Sequence, residues 1–222
     1  MGWLNYGLAG LLLLGISVLE LPALAQVQRN RAEDPSNTVT SQAFRGEEIA
    51  LETTVTFEVQ AKHVRELLKQ RRFPQVEQIV DRAVKDRTLT RGGSFYGVVL
   101  LDYAFSEEFD PSLLAVLDDW VEQSSNRSLA HTARSSFYYH YAWKMRGDRF
   151  SSKTPEKAMR DYSRLLAASK ADIETALELD PNNPLALFWM LRLGRNQSMP
   201  LEVFDEYFER VGQQVPFFLQ AF

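Results

Sequence analysis

The chain has 222 residues, of which 45% are hydrophobic and 24% are charged, and this composition excludes a protein that is disordered over most of its length. Its 25 Lys and Arg residues against 29 Asp and Glu residues give a formal net charge of −4, which argues against a nucleic-acid-binding protein. The chain contains no Cys, which excludes disulfides, thiolate metal sites and lipid attachment through a thiol.

The first 25 residues have the pattern of a secretory signal peptide. Residues 8–19 are an apolar run, and Ala23 and Ala25 supply the small residues of a cleavage site before Gln26. Glu20 interrupts the apolar stretch, which is shorter than the roughly 18 residues expected of a membrane-spanning anchor. We therefore expect residues 1–25 to be a cleaved signal peptide and the protein to be exported to the periplasm or secreted. An uncleaved anchor is the alternative.

Residues 26–57 are predicted to be a flexible spacer, because they are polar and show little periodicity. Within residues 49–59, the run L-E-T-T-V-T-F-E-V alternates like a short strand. We expect a loop or a frayed helix start there instead, because the rest of the chain offers no partner strand. Residues 58–222 are then predicted to form one helical domain.

Prolines mark the predicted helix starts in this domain. Proline suits the first turn of a helix because the N–H that it lacks would have been unpaired there. Asp110, Thr154 and Asn183 each directly precede one of these prolines, and each has a side-chain oxygen that can accept a hydrogen bond from a first-turn amide. The prolines at predicted starts are Pro74, Pro111, Pro155, Pro184, Pro200 and Pro216.

Apolar stripes of helical period agree with these starts. One stripe lies in residues 61–68 and a second in residues 76–84, and the short break between them predicts an antiparallel hairpin. The pattern predicts an all-α fold of about eight helices, arranged as antiparallel hairpins with short connections. The further helices are expected at residues 94–105, 111–123, 127–146, 155–179, 184–193 and 200–211.

Five aromatic rings fall within residues 137–143, in the sequence F-Y-Y-H-Y-A-W. At 100° per residue they point in nearly all directions, so we expect this helix to lie between other helices, at the centre of the fold. Gly147 follows it within Arg-Gly-Asp. We interpret that glycine as the left-handed end of the helix rather than as part of an adhesion motif.

The titratable side chains form no recognisable catalytic or metal site. His63 and Glu66 are one helical turn apart but lack the further ligands that zinc needs. His131 and His140 are about 180° out of phase on one predicted helix, so they cannot bind one ion. Neighbouring carboxylates on a helix diverge, which argues against a paired-acid hydrolase site. We predict no catalytic residue, metal or cofactor; the carboxylates considered are Glu107, Glu108, Asp110, Asp118 and Asp119.

The run A-L-E-L-D-P-N-N-P-L-A at residues 176–186 resembles the junction between tetratricopeptide repeats, although only one copy is present. The wider chain resembles a bacterial family known as domain of unknown function 4034. The matching motifs are R-R-F-P-Q-V-E-Q-I-V at residues 71–80, L-x-x-W at residues 117–120, and Y-A-W-K-M-R-G at residues 141–147. The resemblance would cover about residues 59–222. It implies a tetratricopeptide-like helical fold and no known activity.

These observations favour an exported, non-enzymatic interaction or scaffold domain that binds a peptide or partner protein in a helical groove. Tyr138, Tyr139, Trp143 and Arg146 are the predicted groove residues, because aromatic residues and Arg are enriched at binding hot spots. A cell-envelope hydrolase with an unfamiliar site and a membrane-tethered scaffold remain alternatives. The terminal run Q-V-P-F-F-L-Q-A-F either caps the fold or self-associates through Phe217, Phe218 and Phe222.

Overall fold

The computed structural model describes residues 54–90 and 93–215. The predicted signal peptide, most of the spacer and Phe217, Phe218 and Phe222 lie outside the described residues. The described part is all-α as predicted, without a strand, although one isolated antiparallel bridge joins Leu89 and Phe95. Its eight α-helices are α1 (Thr54–Lys69), α2 (Phe73–Lys85), α3 (Tyr96–Ser106), α4 (Leu113–Gln123), α5 (Arg127–Arg146), α6 (Glu156–Leu179), α7 (Pro184–Asn196) and α8 (Leu201–Gln214), with a short 3₁₀ helix at Ser151–Lys153.

Helix α1 begins earlier than expected. The spacer was predicted to run to residue 57, whereas the helical backbone starts at Thr54. The strand-like alternation in residues 49–59 therefore does not produce a strand in its described part. Of the two expected alternatives, a loop and a frayed helix start, the structure shows the helix start.

The predicted caps behave differently from one another. Asn183 is the N-cap of α7, where its side-chain oxygen accepts from the amides of Leu185 at 3.0 Å and Ala186 at 3.2 Å. Asp110 accepts from the amide of Ser112 at 3.0 Å, but that turn precedes α4, which starts two residues after Pro111. The prediction for Thr154 is wrong, because its hydroxyl donates backwards to a carbonyl of the preceding turn and caps no helix.

The first hairpin forms through the turn at Arg71, whose φ of 55° lets α2 fold back on α1. The two predicted stripes provide its apolar contacts. In α1, Val64 and Leu68 are fully buried, and Val76 and Val80 of α2 are equally buried. Burial of side chains of this size stabilises the fold by about 1.5–3 kcal/mol each.

Helix α5 lies at the centre of the fold, as its aromatic residues predict. It packs against α3, α4, α6 and α7. Phe137 is fully buried and meets two rings from the end of α3 and the following loop, with centroids 5.8 Å from Phe105 and 5.5 Å from Phe109. Edge-to-face and offset rings at these distances add attraction beyond area burial.

Helices α5 and α6 form an antiparallel pair joined by polar contacts at three levels. Ser128 Oγ donates to the carbonyl of Ala176 at 2.8 Å, and His131 Nδ1 lies 2.8 Å from Asp172 Oδ1. At the third level, the hydroxyls of Ser135 and Ser169 lie 2.8 Å apart. The residue numbers rise on one helix as they fall on the other, so these bonds define the register of the hairpin.

Candidate functional site

Three of the four predicted groove residues lie on one face of α5. Tyr139, Trp143 and Arg146 are spaced by four and three residues, which places them one above the other on a helix. The Tyr139 and Trp143 centroids are 6.4 Å apart, and the Arg146 guanidinium lies 4.9 Å from the Trp143 centroid. The structure therefore brings these three side chains together.

Helix α6 completes this cluster with Tyr162. Its ring lies edge-to-face against Trp143 at 5.3 Å, and the Arg146 guanidinium is 5.8 Å from its centroid. Tyr162 is buried, and burial raises the pKa of its phenol. Trp143 nevertheless keeps 36% of its surface exposed. We call Tyr139, Trp143, Arg146 and Tyr162 the aromatic–arginine cluster.

The aromatic–arginine cluster continues into α7 through Arg192. The guanidinium of Arg192 lies 4.8 Å from the centroids of both Tyr139 and the fully buried Trp189. Asn196, one turn further along α7, places its amide within 3.4 Å of the hydroxyls of Tyr139 and Tyr162. Sequence reasoning missed this contribution from α7.

Arg192 also forms an ion pair that joins three helices. Its guanidinium donates to Asp102 of α3 at 2.5 Å, and His140 Nε2 of α5 lies 2.9 Å from the same carboxylate oxygen. Burial opposes ionisation of Asp102, but His140 and Arg192 outweigh it and hold the pKa of this carboxyl below its ordinary value. For Arg192, burial likewise opposes the charge, yet Asp102 and Tyr139 raise the net pKa.

Tyr138 does not join the other predicted residues. It follows Phe137, whose ring it meets at 6.5 Å, and lies near the charges of Arg134, Asp118 and Asp172. Burial raises the pKa of its phenol. The structure thus separates Tyr138 from the aromatic–arginine cluster by the 100° turn between adjacent helical positions.

A second charge network lies beside Tyr138. Asp172 of α6 accepts from Arg134 Nε at 2.8 Å as well as contacting His131, and Arg134 Nη1 donates to Asp118 of α4 at 2.9 Å. Hydrogen bonds from Arg134 to Asp172 outweigh burial and raise the pKa of this guanidinium. Asp172 and His131 are buried, so the network ties α4, α5 and α6 together within the fold.

The three histidines occupy separate places in the fold. His63 is exposed, and His131 and His140 contact different aspartates, Asp172 and Asp102. Throughout residues 54–90 and 93–215, no three His, Asp or Glu side chains converge to hold a metal ion. The adjacent carboxylates Asp118 and Asp119 diverge to Arg134 and Arg71 respectively. Glu107 and Glu108 are exposed at the end of α3.

Two clefts open on other faces of the helices. The larger, of about 930 Å³, lies between α1, α2 and the start of α3, and its polar lining includes His63, Arg82 and Lys85. The smaller, of about 280 Å³, lies between α6, α7 and α8. None of the four predicted groove residues lines either cleft. The aromatic–arginine cluster therefore lies outside both clefts, with Tyr139 and Tyr162 buried and Trp143 partly open to solvent.

Two of the motifs found in the sequence meet in the structure. Trp120 of the L-x-x-W element stacks on Phe73 of the first hairpin at 6.0 Å and donates its indole N–H to Glu77 at 2.9 Å. A family model described as a domain of unknown function (DUF4034) matches residues 60–200, well over half of the chain. The chain belongs to this family.

The DUF4034 match begins where the resemblance was expected to begin, in α1, and it ends at residue 200, so α8 lies outside it. No curated protein and no solved structure compared with the chain matches it. Within the described part of this DUF4034 protein, no helix is both long and apolar enough to span a membrane.

Asp102 and Arg192 are the main residues that sequence reasoning missed. Asp102 is the single charge of α3, Y-G-V-V-L-L-D-Y-A-F-S. Arg192 lies within the apolar part of α7, P-L-A-L-F-W-M-L-R-L-G-R-N, whose other charge, Arg195, is in the last turn. Buried charges in proteins are almost always paired, so an isolated charge in such a helix indicates a partner on another helix. That pattern was available in the sequence, but the identity of the partner was not.

Proposed function

We propose that this protein is an exported, non-enzymatic interaction domain that binds a partner protein or peptide through the aromatic–arginine cluster. The observation that carries the proposal is that Trp143 is both packed against its neighbours and partly exposed to solvent. Its ring is held by Arg146 and Tyr162, yet 36% of its surface faces solvent. Trp, Tyr and Arg are enriched among the hot-spot residues of interfaces, and a side chain that is already fixed loses little entropy on binding.

Export is supported by the sequence of residues 1–25, which have the apolar run and small-residue site of a signal peptide. N-terminal sequencing of the protein recovered from its native host tests this part. A mature chain beginning at Gln26 supports export with cleavage. A chain that still begins at Met1 and fractionates with membranes supports the tethered-scaffold alternative.

Tryptophan fluorescence offers a direct probe of the cluster. Trp120 and Trp189 are fully buried, so acrylamide should quench them poorly, whereas Trp143 should be quenched readily. Trp143→Phe should remove a quenchable component. A bound partner should shield the same component in the wild-type protein, and a partner that leaves the quenching unchanged does not cover Trp143.

Partner binding is tested by affinity purification from envelope extracts of the native host, with quantitative mass spectrometry. Trp143→Ala and Arg146→Ala should each lower the recovery of the specific partner at least tenfold, in keeping with hot-spot residues. Leu201→Ala and Arg195→Ala are matched controls, because both residues are exposed and lie outside the cluster. Unchanged recovery with both cluster variants would contradict the proposed site.

The larger cleft provides the competing binding surface. Its volume lies within the range of roughly 300–1,000 Å³ typical of ligand sites, and its lining is rich in polar groups. Arg82→Glu reverses a charge in this cleft at an exposed position of α2. Loss of the partner with Arg82→Glu, together with full retention in Trp143→Ala, would move the interaction to the α1–α2 cleft.

The hydrolase alternative needs ionisable groups that transfer a proton near neutral pH. The interactions around Asp102 and Arg192 favour the charged form of each, which suits a stable ion pair rather than proton transfer. We therefore keep the interaction domain as the proposal. Self-association through Phe217, Phe218 and Phe222 is a separate expectation, and light scattering coupled to size-exclusion chromatography tests it.

A further inference from the structure

The end of the α5–α6 hairpin differs in charge from the rest of the chain. Residues 144–160 contain six Lys or Arg residues and two acidic residues, a net charge of +4. The whole chain has a net charge of −4, so the remaining residues sum to −8. A local positive charge of this size directs the hairpin end towards negatively charged partners. The six cations are Lys144, Arg146, Arg149, Lys153, Lys157 and Arg160.

These cations divide into paired and unpaired groups. Lys157 pairs with Asp161, Arg160 pairs with Glu156, and Arg146 stacks on the aromatic–arginine cluster. Among the described residues, no ion pair is formed by Lys144, Arg149 or Lys153, and Asp148 is the one acid between them in sequence. Lys144, Arg149 and Lys153 therefore remain available to a negatively charged partner. We call these three residues, together with the neighbouring apolar residues Met145 and Phe150, the hairpin tip.

Phe150 is the most exposed large apolar side chain of the described residues, with 75% of its surface facing solvent. Its backbone is nevertheless fixed, since its carbonyl accepts from the amide of Lys153 at 2.8 Å and from the hydroxyl of Thr154 at 3.0 Å. Met145, at the end of α5, is also exposed, at 38%. The fold thus presents an apolar ring on an ordered turn between basic side chains.

We propose that the hairpin tip docks on an anionic lipid surface. The tip lies at the end of two long helices and lines neither cleft. Because Phe150 and Met145 are exposed there, the tip offers an open surface rather than a groove for a peptide. Basic side chains attract the protein to anionic headgroups, and exposed apolar side chains enter the boundary between headgroups and acyl chains. Docking of this kind is peripheral, because it uses the side chains of the hairpin tip rather than a spanning helix.

Vesicle co-sedimentation of the full chain tests this proposal. One set of vesicles contains phosphatidylglycerol and phosphatidylcholine, and the other contains phosphatidylcholine alone and measures binding by any other segment. We expect tighter binding to the anionic vesicles, weakening as salt rises, because exposed charges are screened by salt. Equal binding to both kinds of vesicle would overturn the proposal.

The variants locate the binding surface. Arg149→Glu with Lys153→Glu should lower the partition coefficient on anionic vesicles by about tenfold or more, and Phe150→Ser should lower it by about tenfold. The charge-matched control, Lys62→Glu with Lys85→Glu, and the apolar control, Leu201→Ser, should stay within about twofold of wild type. Tip variants that bind like wild type, or charge controls that lose as much binding, would overturn the proposal.

The substituted positions are chosen so that a loss of lipid binding can be distinguished from a loss of folding or of partner binding. All the substituted residues are exposed, and a thermal melt of each variant checks that it folds. Trp143 and Arg146 are unchanged, so the tip variants should retain the partner recovered through the aromatic–arginine cluster. If an acidic protein were the true occupant of the tip, the tip variants would lose that protein while binding vesicles normally, which would also overturn lipid docking.

Discussion

The indole N–H of Trp120 donates to the carboxylate of Glu77 at 2.9 Å, and both residues are buried. The same carboxylate accepts from the hydroxyl of Ser124 at the end of α4. The opening hairpin and α4 are thus joined by one acidic side chain that satisfies several donors. This contact links two of the sequence motifs on which the family resemblance was based.

Removing the acceptor at position 77 should destabilise the fold. Glu77→Ala leaves the buried Trp120 N–H without a partner, which costs about 1–3 kcal/mol in the free energy of unfolding. Glu77→Gln keeps an acceptor oxygen and should lose less. Urea denaturation followed by tryptophan fluorescence measures both variants. Equal stability of Glu77→Ala and wild type would show that the hydrogen bond contributes nothing net.

The Asp102 ion pair should make stability depend on pH in the acid range. The folded-state pKa of Asp102 is below its ordinary value of 3.8. The contribution of this carboxylate to the free energy of unfolding is therefore complete well above pH 3.8. The contribution is lost as the pH falls through the lower folded-state pKa. Asp102→Asn should therefore lower the free energy of unfolding by about 2–3 kcal/mol at pH 7. This is less than the loss expected on breaking a fully buried ion pair, because about a quarter of the Asp102 side chain is exposed.

Urea midpoints at pH 7, 5 and 3 measure this dependence. The difference between wild type and Asp102→Asn should be similar at pH 7 and 5 and should narrow at pH 3. Asp205→Asn, at an exposed position of α8, serves as the control. A difference that widens towards pH 3 would contradict the assignment.

Asn183 should matter more than an ordinary helix cap. Its side-chain oxygen caps α7, and its side-chain Nδ2 donates to Ser128 Oγ of α5 at 2.8 Å. Asn183→Ala should cost about 1–2 kcal/mol for the cap alone, with an added loss from the contact to α5. Asn183→Asp retains the acceptor oxygen, so its stability should lie between those of wild type and Asn183→Ala. The neighbouring exposed residue Asn182, changed to Ala, should have little effect in thermal denaturation.

Gly147 tests the interpretation of Arg-Gly-Asp as a helix end. Its φ of 74° and ψ of −173° belong to a region that is almost confined to glycine. Gly147→Ala should cost about 1–3 kcal/mol through backbone strain, although a Cβ there would meet nothing within 4 Å. Gly212→Ala is the matched control, because Gly212 is within α8 and a Cβ there also meets no neighbour.

At Gly212, alanine should stabilise the helix by about 0.5–1 kcal/mol. The two Gly→Ala variants should therefore move the melting temperature in opposite directions. A stabilising Gly147→Ala would argue against the backbone conformation at the end of α5.

Local chemistry explains which parts of the fold were predictable. The bounds of α5 agree with the predicted residues 127–146 because Asn126 caps its first turn and Gly147 ends it. The end of α6 at Leu179 and the start of α7 at Pro184 also agree, since Asp-Pro and Asn-Pro act on their own backbone. At the start of α3 the prediction was two residues early, because the bridge between Leu89 and Phe95 keeps the chain extended.

The candidate site was predictable only in part. Helical phase alone places Tyr139, Trp143 and Arg146 on one face and Tyr138 on another, so the sequence contained this division. The neighbours of that face come from α6 and α7, and they depend on tertiary packing that periodicity does not specify. The partnership of Asp102 with Arg192 joins residues 90 positions apart, beyond any local pattern.

The serine pair between α5 and α6 has a mechanical consequence. The Ser135 hydroxyl lies 2.8 Å from the Ser169 carbonyl, and the Ser169 hydroxyl lies 2.9 Å from the Ser135 carbonyl. The two hydroxyls are 2.8 Å apart. Directional bonds of this kind resist sliding, whereas purely apolar faces can shift past each other. Helix α6 is about 36 Å long at 1.5 Å per residue. A force applied at the hairpin tip should therefore displace the two helices together, as a stiff lever acting on the turn that leads into α7.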